Sequence, residues 1–164
     1  MNKLIMMTGL PRSGKSTWAK AQGFPIVSPD AIRLALTGQR WWSPIEHQVH
    51  ATARTMVRAL FLAGNDTVIL DDARTSLTKE SREKWRASDD VPWKRYVQII
   101  DERKGLCTSR AITAGQLDLL DIIEDMWTRK EPVDSFVENI EIWGEIREGE
   151  VIFSREPVDN GDLL

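Results

Sequence analysis

"TGLPRSGKST", residues 8–17, follows the apolar run "KLIMM" and sets Gly9 and Gly14 ahead of Lys15, Ser16 and Thr17. The spacing satisfies GxxxxGK[ST], with Gly9, Gly14, Lys15 and Ser16 in the four defining places. An apolar strand over Leu4–Met7 enters the motif and a helix-competent run over Thr17–Gln22 leaves it. The glycines permit the backbone conformations that turn consecutive N–H groups inward onto phosphate oxygens, and the new helix adds its positive dipole end. Gly9, Arg12, Ser13, Gly14, Lys15, Ser16 and Thr17 are therefore expected to cradle a nucleotide. Lys15 would reach its β- and γ-phosphates, and the Ser16 hydroxyl would ligate Mg²⁺. A plain strand–turn–helix would not need this combination.

The chain has 164 residues and 41% hydrophobic content, enough for one domain with a sizeable core. One domain is expected over residues 1–155, with the acidic, turn-rich "EPVDNGDLL" (156–164) as a loose tail. A net charge of −3 argues against tight, sequence-independent binding of long nucleic acid and leaves room for a local basic groove. The single cysteine, Cys107, excludes an intramolecular disulfide and a cysteine-based zinc site. It is read as a packed thiol in a helix rather than as a nucleophile. "LIMM" is too short for a signal-peptide core, and no apolar stretch is long enough to cross a bilayer. A cytoplasmic protein without a membrane partner is expected.

Beyond the first helix, "FPIVS" (24–28) reads as a second buried strand, followed by a helix from Asp30. Ile45, Val49, Ala53, Val57 and Leu60 recur near a helical period, predicting a long amphipathic helix over Pro44–Ala63 that ends at Gly64. "DTVILDD" (66–72) is a third strand, Thr78–Ala87 a charged helix, "RYVQIID" (95–101) a fourth strand. Leu106–Arg129 reads as helices broken near Gly115, and "NIEIW" (139–143) as a fifth strand. "EIREGEVIFSR" (145–155) adds the option of an antiparallel edge strand at the C-terminal side. Strands alternating with helices require crossover connections, so the expected fold is α/β: about five parallel strands with helices on both faces. Ligands of such sheets gather at the carboxyl ends of the strands, which singles out the phosphate loop, Asp30, Asp71, Asp72 and Asp101.

"SPDAIR" (28–33) places Asp30 across the crevice from the loop and Arg33 on the same helical face. Phosphoryl transfer needs positioning and charge neutralisation more than covalent chemistry. Asp30 can accept the proton of an acceptor hydroxyl, and Arg33 can hold an anionic group of the acceptor in its fork. The competing reading makes Asp30 a helix cap and Arg33 its surface ion-pair partner.

Together, "GLPRSGKSTWAK", "SPDAIR" and "VILDDAR" resemble the phosphate-loop kinases of the polynucleotide 5′-hydroxyl kinase type, the kinase domain of the phage enzyme included. The resemblance covers most of the chain, up to about "IEIW". It implies a P-loop kinase fold with a helical lid, ATP and Mg²⁺ as cofactors, and a nucleic acid 5′-end or nucleotide as acceptor. It makes Ser16 the metal-side hydroxyl, Asp30 the general base and Arg33 the acceptor-phosphate contact. Asp72, with Asp71 as neighbouring candidate, supports the acceptor site. Arg74 stands where such kinases usually carry asparagine, which bears on acceptor preference. In the lid region "DERKGLCTSRAITAG" (101–115), Arg110 aligns better than Arg103 with an arginine that closes on the transferring phosphate. "MWTRKEPVD" (126–134) resembles the segment leading to the nucleotide base. Alternatives are a kinase of a small hydroxylated metabolite or hydroxymethylated base, and a nucleotide-binding regulatory module.

Of seven tryptophans, Trp85, Trp93 and Trp143 are expected in packed positions. Trp41 and Trp42 are adjacent, so one of them either covers the acceptor cleft and stacks on a base or packs against the long helix. His47 and His50, without an HExxH motif, read as surface histidines.

Overall fold

The computed structural model describes residues 1–39, 43–74, 76–148 and 150–154. Trp41, Trp42 and the acidic tail at 156–164 lie outside the described residues.

Six strands form one sheet: β1 (Asn2–Thr8), β2 (Ile26–Val27), β3 (Thr67–Leu70), β4 (Trp93–Asp101), β5 (Glu141–Arg147) and β6 (Glu150–Ser154). Their order is β2-β3-β1-β4-β5-β6. The first five are parallel, and β6 pairs antiparallel with β5, as the optional edge strand. Both faces of the centre are covered, which is why β1 and β3 read as unbroken apolar runs. Along β1 the side chains alternate between two cores. Leu4 and Met6 join Val49, Ala53, Val57 and Trp85 on one face. Ile5 and Met7 join Ala19, Tyr96 and Trp143 on the other.

The helices are α1 (Lys15–Ala21), α2 (Pro29–Thr37), α3 (Glu46–Leu62), α4 (Lys79–Glu83), α5 (Lys104–Thr113), α6 (Leu119–Arg129) and α7 (Ser135–Glu138). Helix α3 buries Val49, Ala53, Val57 and Phe61, one apolar stripe at helical spacing. Its chain reverses at Gly64, whose φ of 98° favours glycine. Gly115, φ 70°, separates α5 from α6 in the same way. These two helices pack through Cys107, Ala111, Leu119, Ile123 and Met126, and onto Leu10 of the phosphate loop, forming a lid beside it.

Several boundaries differ from the sequence reading. Helix α1 begins at Lys15 rather than Thr17, because Gly14 at φ 103° turns the chain directly into it. Helix α4 stops at Glu83, short of Ala87. Strand β4 starts two residues before "RYVQIID", with Trp93 opposite Asn2 and Lys94 opposite Lys3. The strand tolerates Arg95 because its buried guanidinium donates to the carbonyls of Arg82 and Glu138, at 2.8 and 2.6 Å. Asn139, expected in a strand, sits at φ 52° as the C-cap of α7.

Arg82, fully buried, connects α4 to the segment after the lid. Its Nε and Nη2 donate to both oxygens of Glu138 at 2.7 and 3.0 Å. Its Nη1 donates to the Ser76 and Glu131 carbonyls. Removing one partner of such a pair leaves an uncompensated buried charge. Glu138→Ala is expected to lower unfolding free energy by about 3–5 kcal/mol in urea denaturation. A loss below about 1 kcal/mol would mean that the carbonyls alone satisfy Arg82.

Candidate functional site

The phosphate loop connects β1 to α1 and depends on two glycines. At Gly9, φ 148°, a Cβ would lie 2.6 Å from the Ile100 carbonyl oxygen, so only glycine lets the loop pass this close to β4. Arg12 also adopts the left-handed region, at φ 67°. Lys15 is 7% exposed, and its Nζ donates to the Leu10 carbonyl at 2.7 Å. Burial pulls this ammonium below its ordinary pKa, while Asp71 and Asp72 work in the opposite direction. Ser16 and Thr17 are exposed at the head of α1, and Ser13 is buried.

Opposite the loop, α2 is capped by Ser28, whose Oγ accepts the Ala31 N–H at 3.2 Å, with Pro29 at the first turn. The cap is thus Ser28, and Asp30 is released from that duty. Arg33 is 3% exposed and faced by three carboxylates. Nη1 donates to Asp30 Oδ1 at 2.6 Å. Nε and Nη2 form a fork with Glu46, at 2.6 and 2.9 Å, and Nη2 lies 3.6 Å from Asp72 Oδ2. Burial works against the Arg33 charge, but Glu46, Asp72 and Asp30 outweigh it and raise its pKa. The fork expected to meet the acceptor is thus engaged by Glu46 in the free protein.

Asp72 closes β3, is 3% exposed, and accepts the Arg74 N–H at 3.2 Å. Burial, then the nearby Asp30, push its carboxyl up to about 6, against Arg33 and Arg74. Burial draws Arg74 down from its ordinary value.

These groups share one cleft of about 370 Å³, into which Lys15, Ser16, Asp30, Asp71, Asp72 and Arg74 all contribute. Its apolar lining comes from Leu34 on α2 and from Leu119, Ile122 and Met126 on the lid. Gln116 also lines it, with Oε1 buried and without a hydrogen-bond partner. Neither Gln116 nor Leu34 carries a sequence signal, and Glu46 is thirteen residues from the guanidinium it binds.

Of the two lid arginines, Arg110 reaches the loop, its Nη1 donating to the Arg12 carbonyl at 3.0 Å. Arg103 is forked onto Glu148 at 2.7 and 2.6 Å. Asp101 is not in the cleft; it faces Lys130 and Arg147 beside a separate cavity of about 420 Å³. Cys107 is buried in the lid core, where burial raises its thiol. His50 is not a surface residue: it is half-buried, its ring centroid 4.9 Å from that of Trp85.

A family model described as an AAA domain matches residues 4–95. None of the curated proteins matches the sequence. A sugar kinase from Janibacter sp. HTCC2649 superposes with a TM-score of 0.62 at 15% identity, covering 92% of this chain and 87% of that one. A gluconokinase from Sinorhizobium meliloti 1021 gives 0.55 at 16%, covering 88% and 82%. The Pnkp1/Rnl/Hen1 complex contains a chain that gives 0.52 at 24%, with coverage of 66% and 39%. The fold is therefore the P-loop fold that kinases use. No described helix is long and apolar enough to cross a membrane.

The Asp72 carboxyl has a consequence for stability. Between about pH 4 and pH 6 the folded chain keeps a proton that the unfolded chain releases. Stability therefore falls as pH rises through that window, by on the order of 3 kcal/mol, and stays low above it. In Asp72→Asn this fall should vanish, leaving the variant more stable than the parent at pH 7. Thermal unfolding across pH 4–8 measures this, and parallel curves would show that Asp72 titrates near its ordinary value.

Proposed function

This chain belongs to the AAA-domain family, and we propose that it is an ATP- and Mg²⁺-dependent kinase that phosphorylates the 5′-hydroxyl of a polynucleotide or nucleotide. The supporting observation is the single cleft in which Lys15 and Ser16 of the phosphate loop face Asp30, Asp72 and Arg74 across one volume. A pure nucleotide binder has no use for carboxylates opposite the loop. The apolar wall of Leu34, Leu119, Ile122 and Met126 suits the flat ring of a nucleobase.

In this reading the loop N–H groups and Lys15 hold the β- and γ-phosphates. Lys15 exchanges the Leu10 carbonyl for phosphate oxygens, a stronger charge-assisted partner. The Ser16 hydroxyl, with Asp71 across the same cleft, fits the oxygen donors that Mg²⁺ takes alongside water and phosphate. The metal would supply charge neutralisation at the transferring group. Asp30, fixed by Arg33 Nη1, accepts the proton of the attacking hydroxyl. Arg110, already against the loop at Arg12, stabilises charge on the γ-phosphoryl oxygens. Arg33 acts by holding Asp30, Glu46 and Asp72 in register, and Arg74 meets the acceptor in its place.

A second reading keeps the chemistry and changes the acceptor to a small polyhydroxylated compound. It is favoured by three carboxylates, Asp30, Asp71 and Asp72, lining the cleft with Gln116, a set able to accept hydrogen bonds from several hydroxyls.

Transfer of labelled γ-phosphate to a panel of 5′-hydroxyl DNA, 5′-hydroxyl RNA, a 3′-nucleotide and a sugar acid separates the two. Label is expected on a nucleotide acceptor, with kcat reduced at least about a hundredfold in Asp30→Asn and abolished in a folded Lys15→Ala. Label on the sugar acid alone would select the second reading, and unchanged transfer in Asp30→Asn would remove Asp30 as the base.

A further inference from the structure

The cleft is not the only space that Asp72 and Arg74 border. Both also line a second cavity of about 150 Å³, shared by Arg33, Glu46, His50, Ser81, Lys84 and Trp85. Trp85 is fully buried, and its Nε1 has no hydrogen-bond acceptor. Buried donors in folded chains almost always have a partner, and leaving one unpaired is destabilising. The ring is held in place, with His50 packed against it, the Arg54 guanidinium 5.9 Å from its centroid, and its carbonyl accepting Trp93 Nε1 at 3.0 Å. A rigid indole with an unpaired donor therefore lines the cavity.

The cation that draws an anion to this cavity is Lys84. Glu46 and Asp72, the two carboxylates of its lining, both approach Arg33, to which Asp30 is also paired. Burial first, then Arg54 and Lys84, hold His50 below its ordinary value, so it is neutral at pH 7. Lys84 pairs with Glu80, 3.7 Å away, in an exposed pair of little strength. By bulk volume the cavity has room for about five waters, enough for a phosphate or carboxylate and too little for a nucleoside.

We propose that this cavity is a second acceptor subsite, which takes an anionic group carried beside the reacting hydroxyl, with the Trp85 indole N–H and the Lys84 ammonium as its donors. The inference rests on reading the neighbouring cleft as the acceptor site. It adds a source of specificity: a neutral acceptor leaves the Trp85 N–H unpaired, whereas an anionic one satisfies it. A phosphodiester and a sugar-acid carboxylate share this chemistry.

The test follows the indole N–H signals of the ¹⁵N-labelled protein, with Trp85 assigned through a folded Trp85→Phe variant. Two probe pairs are titrated. One is a 5′-hydroxyl dinucleotide and its neutral methylphosphonate analogue; the other is a sugar acid and its neutral alditol. The expected result is a shift of the Trp85 signal, and binding about tenfold tighter, for the charged member of one pair. Lys84→Gln, a substitution at an exposed position, should erase most of that difference and raise KM for the charged acceptor with kcat kept. Which pair responds identifies the phosphate or the carboxylate as the group. Equal binding of charged and neutral members, a Trp85 signal that stays fixed while other signals move, or no binding would overturn the subsite. A Trp85 shift without phosphoryl transfer from ATP would keep the subsite and remove the kinase reading, and transfer with a fixed Trp85 signal would do the reverse.

Discussion

Arg33 is a guanidinium with almost no access to water, and the cleft is arranged by what its burial requires. An uncompensated buried charge costs several kcal/mol, so carboxylates must come to it. They come from three places: Asp30 one turn earlier on α2, Glu46 at the start of α3, and Asp72 at the end of β3. Satisfying Arg33 therefore brings α2, α3 and the carboxyl end of β3 together. The side chain expected to grip the acceptor is thereby forked onto Glu46 and organises the carboxylates.

Three carboxylates around one cation leave negative charge that the free protein must absorb. Burial and Asp30 push the Asp72 carboxyl upward, and burial pulls the Lys15 ammonium down on the other side of the cleft. The two shifts oppose each other in sign and have one cause, the removal of charged groups from water. On the proposed function, phosphates would supply Lys15 with a better partner than the Leu10 carbonyl, and a cation beside Ser16 and Asp71 would offset the carboxylates. Stability forgone in the free protein would then be recovered on binding, a relation common at functional sites.

Much of this was legible in the sequence because it is encoded locally. The loop between β1 and α1 follows from Gly9, Gly14, Lys15 and Ser16; α3 follows from Val49, Ala53 and Val57 at helical spacing; the breaks at Gly64 and Gly115 follow from the left-handed conformations they adopt. What escaped depends on partners distant in the chain. Trp93 and Lys94 stand outside the strand pattern until β1 presents Asn2 and Lys3 to them. Glu46 has no motif, and its importance appears only when α3 folds beside α2. His50 looks exposed until Trp85 packs on it.

A crystal structure of the ternary complex with Mg²⁺, an unreactive ATP analogue and a 5′-hydroxyl dinucleotide would decide whether the two halves of the cleft act together. The acceptor 5′-oxygen should lie about 3 Å from the Asp30 carboxylate and in line with the γ-phosphorus, with the dinucleotide phosphate toward Trp85 and Lys84. A dinucleotide bound outside the cleft, or a 5′-oxygen directed away from Asp30 with the nucleotide seated in the loop, would contradict it.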